Sequence, residues 1–155
     1  MTDERRGIVL IVGIGNLLLS DEGVGVHAAR RLAGRELPPG VDVLDGGTSG
    51  VDLIDHMAGR AKVVVIDAAS GGGPPGTIYR CEARDLIERD GVMSLHEIGL
   101  VESLRMAAQL ACAPRRVVVL GVQPAVLAPG LNLSPAVAAV LPRVLELALE
   151  EALHA

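Results

Sequence analysis

The chain has 155 residues, a net charge of −5, an apolar half and one aromatic side chain, Tyr79. That length favours a single domain over residues 1–155, and the acidic balance with almost no aromatics argues against a nucleic-acid partner. No apolar run reaches the ~18 residues of a membrane span, residues 1–6 open no signal peptide, and Cys81 and Cys112 stand alone; a cytoplasmic protein with reduced thiols and no membrane partner is expected.

Residues 8–12 are all Ile, Val or Leu and run straight into glycines, which predicts a buried parallel strand. Residues 24–32 carry helical apolar spacing. Residues 41–44 predict a second strand, followed by the loop Asp45-Gly46-Gly47-Thr48, and residues 51–57 a short helix. Residues 62–66 predict a third strand, ending at Asp67. Residues 70–76 combine glycine and proline and must be a loop. Residues 77–80 suggest a brief edge strand, and 83–93 fit either a helix or a lid. Ser94-Leu95-His96-Glu97 matches a capping box and predicts a helix from there to about residue 110. Residues 116–120 predict a further strand, ending at Gly121. Ser134-Pro135 reads as the start of a last helix, reaching about residue 153. Continuously apolar strands alternating with helices predict an open parallel sheet covered on both faces. Such sheets place ligands beyond the carboxyl ends of the strands.

Three residues at such ends carry possible chemistry. Glu22 lies at the start of the first helix, where the dipole favours an anion. Asp67 is a carboxylate ending a strand that should be buried, which calls for a cation or several hydrogen-bond donors. His96, in a first helical turn, would stay neutral, the form that binds metal. Each also has a plainer reading, as a helix cap, a turn acceptor or a surface histidine. Together, two carboxylates and an imidazole suit a divalent metal of borderline hardness. His27, His56 and His154 have no motif and read as solvated or locally satisfied. Gly13-Ile14-Gly15-Asn16-Leu17-Leu18 lacks the third glycine of a dinucleotide loop. No serine stands in a nucleophile elbow.

In order along the chain, Gly13-Ile14-Gly15-Asn16, Ser20-Asp21-Glu22-Gly23-Val24-Gly25, Asp45-Gly46-Gly47-Thr48, Asp67-Ala68, Ser94-Leu95-His96-Glu97 and Gly121-Val122-Gln123-Pro124 resemble the nickel–iron hydrogenase maturation endopeptidases. The resemblance implies an α/β fold, a three-layer α/β/α sandwich on a mostly parallel five-stranded sheet with one antiparallel edge strand. It implies a hydrolase that removes the C-terminal extension of a nickel-loaded hydrogenase large-subunit precursor, its partner. Glu22, Asp67 and His96 match the family's metal-binding positions, where they would act in catalysis by reading nickel carried by the substrate, with no permanently bound metal. Asp45, Gly46, Gly47 and Thr48 would contact substrate. A monomer is allowed by the small size. The rival reading is a non-catalytic, metal-binding chaperone of the same precursor.

Overall fold

A computed structural model describes residues 7–48, 53–88, 94–95 and 99–154. Five strands form one sheet in the order β2-β1-β3-β6-β4. They are β1 (Val9–Ile14), β2 (Val41–Gly47), β3 (Lys62–Ser70), β4 (Ile78–Glu82) and β6 (Arg116–Val122). β1 pairs in parallel with β2 and β3, and β3 in parallel with β6. The edge strand β4 runs antiparallel to β6. A two-residue strand, β5 (Ser94–Leu95), pairs antiparallel with the tail of β3. Strand order reverses between β1 and β3, so the cleft beyond their carboxyl ends is the switch point.

Successive side chains of the central strands alternate between two apolar cores. On one face Ile11, Val64, Ile66, Leu120 and Val122 pack under α1 (Val24–Ala33) and α5 (Pro135–Leu153). On the other, Leu10, Val12, Ile14, Val63, Val65 and Val119 pack under α2 (Leu53–Met57), α3 (Ala83–Glu88) and α4 (Gly99–Gln109). Three layers result. Helix α1 buries Val24, Ala28 and Leu32, one stripe at a spacing of four. Leu32 and Leu145 are fully buried, and truncating either to alanine should cost about 2–5 kcal/mol. Neither core contains an aromatic ring, as the composition requires.

The strands outrun their apolar cores. β2 continues through Asp45, Gly46 and Gly47, a stretch expected as loop, and a register shift follows Gly13. β3 extends to Ser70, so Asp67 lies inside the strand rather than ending it. Of the helix expected from Ser94, the described part is α4 from Gly99, and residues 96–98 lie outside the described residues. Ser94 and Leu95 instead pair with Ser70 and Ala69: here a tertiary ladder prevails over a local capping pattern. Of residues 83–93, those up to Glu88 form α3, and residues 89–93 lie outside the described residues.

Candidate active site

Register brings Asp45 and Asp67 to the carboxyl edge of the sheet. Gly13 pairs with Asp45 on one side and Ile66 on the other; Asp67 pairs with Gly121. Glu22 belongs to a 3-10 turn, Ser20–Gly23, that leads directly into α1. Two glycines press this turn onto the strand ends. A methyl group at Gly25 would lie 2.1 Å from the Ile66 carbonyl oxygen and 2.4 Å from that of Ile14. One at Gly15, whose φ is +141°, would lie 2.1 Å from the Glu22 carbonyl oxygen. Only glycine permits this approach. The backbone around Glu22 is therefore packed over the ends of β1 and β3, with Asp67 next after Ile66. Glu22 is half-buried, and its side chain has no hydrogen bond or ion pair among the described residues. Asp67 is fully buried, and its Oδ1 accepts the Ala68 N–H at 2.7 Å.

Asp21, which the sequence marks only as a member of the Ser20–Gly25 motif, has a larger part. Fully buried, its carboxylate accepts the N–H groups of Ala125, Val126 and Ser134 and the Ser134 hydroxyl, at 2.7–2.9 Å. Burial pushes its pKa up, but the bonds from Val126, Ser134 and Ala125 outweigh that and leave the net value lowered. Ser20 adopts a left-handed φ of +53°, held by a bond from its hydroxyl to the Ala128 carbonyl and from its N–H to the Gly130 carbonyl. Asn16 closes its own turn by accepting the Leu18 N–H at 2.9 Å. The loop bearing Glu22 is thus zipped to the loop after β6.

Asp45 accepts the Gly47 N–H and pairs with Arg30 of α1, each at 3.1 Å. Gly46 packs against Val12, Ile14 and Leu53, and Thr48 is exposed. Gln123, just past β6, accepts the Tyr79 hydroxyl at 2.7 Å and the Gly71 N–H at 2.9 Å. This joins the start of the edge strand to the same rim, and Tyr79 stands out in the sequence only as the chain's sole aromatic. His96 lies outside the described residues. Among those described, no three His, Cys, Asp or Glu side chains cluster as a metal site. His27 differs from expectation: its Nε2 is buried with no hydrogen-bond partner among the described residues. Burial, then Arg30 and Arg31, lower its pKa and keep it neutral. His154 is satisfied locally, with Nδ1 at 2.6 Å from the Glu150 carbonyl. Cys81 and Cys112 are free thiols, and no described helix is long and apolar enough to cross a membrane.

The turn that carries half-buried Glu22 thus packs over the strand that buries Asp67, at the switch point of a parallel sheet. A model of the hydrogenase maturation protease family matches residues 26–151. The chain belongs to that family. It is 36% identical over 142 residues to the hydrogenase 2 maturation protease of Escherichia coli, covering 89% of this chain and 86% of the relative. It is 40% identical over 146 residues to the hydrogenase expression/formation protein HupD of Thiocapsa roseopersicina, covering 92% of this chain. The chain spans 66% of that HupD's length and 57% of the Azotobacter chroococcum HupM's. Among solved structures, the hydrogenase maturating endopeptidase HybD from E. coli superposes with a TM-score of 0.83 at 33% identity, over 92% of this chain and 90% of that one. A maturation protease HybD from Thermococcus kodakarensis gives 0.80 at 28% identity, over 93% and 98%. The five-stranded mixed sheet with its antiparallel edge is the fold of this family.

Proposed function

We propose that this protein is an endopeptidase that removes the C-terminal extension from a nickel-loaded hydrogenase large-subunit precursor. The observation that carries the reading is the packing of the Glu22 turn over the strand ends beside Asp67, in a chain of the maturation protease family. His96 is the third member of the site. Leu95, the residue before it in the chain, pairs with Ala69, two residues past Asp67.

In this reading nickel arrives as part of the substrate. Two carboxylates offset a divalent charge and imidazole suits nickel, so the donor set fits such a cargo. Glu22 has no competing cation among the described residues, which leaves its carboxylate available. By holding the loaded end of the precursor, Glu22, Asp67 and His96 orient the adjoining peptide bond, and orientation alone lowers a barrier substantially. Asp45 to Thr48 line the same edge and contact the substrate chain. The Arg30 pair holds Asp45 in place there.

Purified protein is incubated with nickel-loaded and nickel-free precursor, and the extension is followed by mass spectrometry. Only the loaded form should be cut. Equal cleavage of both forms would sink nickel recognition. Binding of the loaded precursor without cleavage would turn the reading into a non-catalytic chaperone.

A further inference from the structure

The rim beside Glu22 is built unlike the rest of the surface. Residues 7–20 and 117–142 contain no Asp, Glu, Lys, Arg or His in a chain that is 21% charged. Where these two stretches meet, large apolar side chains face solvent: Leu18 is 63% exposed, Val126 42%, Leu127 38% and Leu131 63%. The meeting is rigid. The Gly130 N–H donates to the Leu18 carbonyl at 2.9 Å, Ser20 N–H to the Gly130 carbonyl at 2.9 Å, and Asp21 N–H to the Val126 carbonyl at 3.0 Å. Leu19 and Gly130 form a β-bridge. The buried Asp21 carboxylate then ties residues 125, 126 and 134 to the turn that carries Glu22.

Absence of charge with apolar exposure is the composition of an interface core. Hydrogen bonds that lock the backbone before binding reduce the ordering entropy lost on association. We propose that Leu18, Val126, Leu127 and Leu131 form the docking face for the folded precursor, and that they receive an uncharged apolar surface beside its nickel site. This rests on the peptidase reading above and adds the surface that delivers the substrate. Continuity with the Glu22 turn selects the occupant. A second copy seated on this face would cover that turn and close the site, whereas a precursor seated there brings its metal to Glu22.

The test uses the full chain and the nickel-loaded large-subunit precursor encoded in the same genome. Leu131→Glu and Leu18→Glu are compared with Leu153→Glu, a control on a leucine 66% exposed near the end of α5. Each rim variant should raise KM and the Kd for precursor about tenfold or more, and the control should match the native chain. Thermal melting checks the fold; should Leu131→Glu melt early, Leu131→Gln introduces no charge and should still raise KM severalfold. Native KM and Kd in both rim variants would overturn the docking face and leave the peptidase reading standing. Precursor binding that Leu131→Glu weakens, without any cleavage by the native chain, would overturn the peptidase reading and keep the face. A native chain that neither binds nor cuts would remove both. Self-association lost in Leu131→Glu, with precursor binding unchanged, would assign the face to a second copy and overturn the proposal.

Discussion

The two ends of the sheet handle buried charge in opposite ways. At the amino ends of the strands, charges meet counter-charges. Lys62, almost fully buried, donates to the Glu151 carboxylate at 2.8 Å, and Arg80 pairs with the same carboxylate. Arg116 pairs with Glu82 at 2.6 Å, and buried Arg60 with Asp42 at 2.6 Å. At the carboxyl ends, Asp21 is held by backbone N–H groups and a hydroxyl, and among the described residues no basic side chain pairs with Asp21 or Glu22. Ion pairs cancel charge and leave a stable, inert base. Amide donors stabilise a carboxylate without cancelling it, so the site end keeps a negative potential, which suits the substrate-borne cation of the proposed function.

The contrast can be broken at its strongest point first. Asp21→Ala leaves three backbone donors and a hydroxyl buried without their acceptor, and should cost about 3–5 kcal/mol in unfolding free energy. Urea denaturation reads this, and a native midpoint would show that the two loops hold without the clamp. Next, protonating Glu151 should loosen the opposite end. The Arg80 hydrogen bond first, against burial, and then Lys62 depress its carboxyl from 4.5 to about 2. A depressed carboxylate contributes stability above its unfolded value and loses it as pH falls through the folded one. Roughly 3 kcal/mol should therefore disappear between pH 4.5 and 2, and a Glu151→Gln chain should lack that part of the acid transition. A flat stability profile in the native chain over that range would deny the network its role.

Gly25→Ala tests the approach that unites the site. Its methyl meets backbone oxygens at 2.1 and 2.4 Å, which should cost about 1–3 kcal/mol. It should also reduce processing by more than the stability loss explains, because it moves Glu22 away from Asp67. Glu22→Gln is the smallest change in stability, within about 0.5 kcal/mol, since the side chain has no partner among the described residues. Yet it should slow processing by about 100-fold or more. A Glu22→Gln chain that cuts precursor at the native rate would remove the residue from the mechanism.

Much of this architecture was legible in the residues. Unbroken Val, Ile and Leu runs such as 63–66 mark strands buried on both faces, and Pro135 after Ser134 marks the start of α5. Asp45, Asp67 and Gln123 each stand near the end of an apolar run, so their arrival at one edge followed from parallel strands alone. The Ser94 segment departs from its capping pattern because that pattern is local, whereas the hydrogen bonds that claim Ser94 and Leu95 come from β3, some 25 residues earlier in the chain. The role of Asp21 is not legible in the sequence for the same reason: its four donors lie 104–113 residues away.

By itself, then, the chain's pattern determined a three-layer α/β protein with Glu22 and Asp67 at the carboxyl ends of its strands, because hydrophobic period and turn residues are local properties. Tertiary structure alone decided that Asp21 is a clamp and Glu22 a carboxylate without a partner among the described residues, two neighbouring acids with opposite fates. Burial and donor supply depend on what the rest of the chain brings to each side chain, and no spacing in the sequence records that.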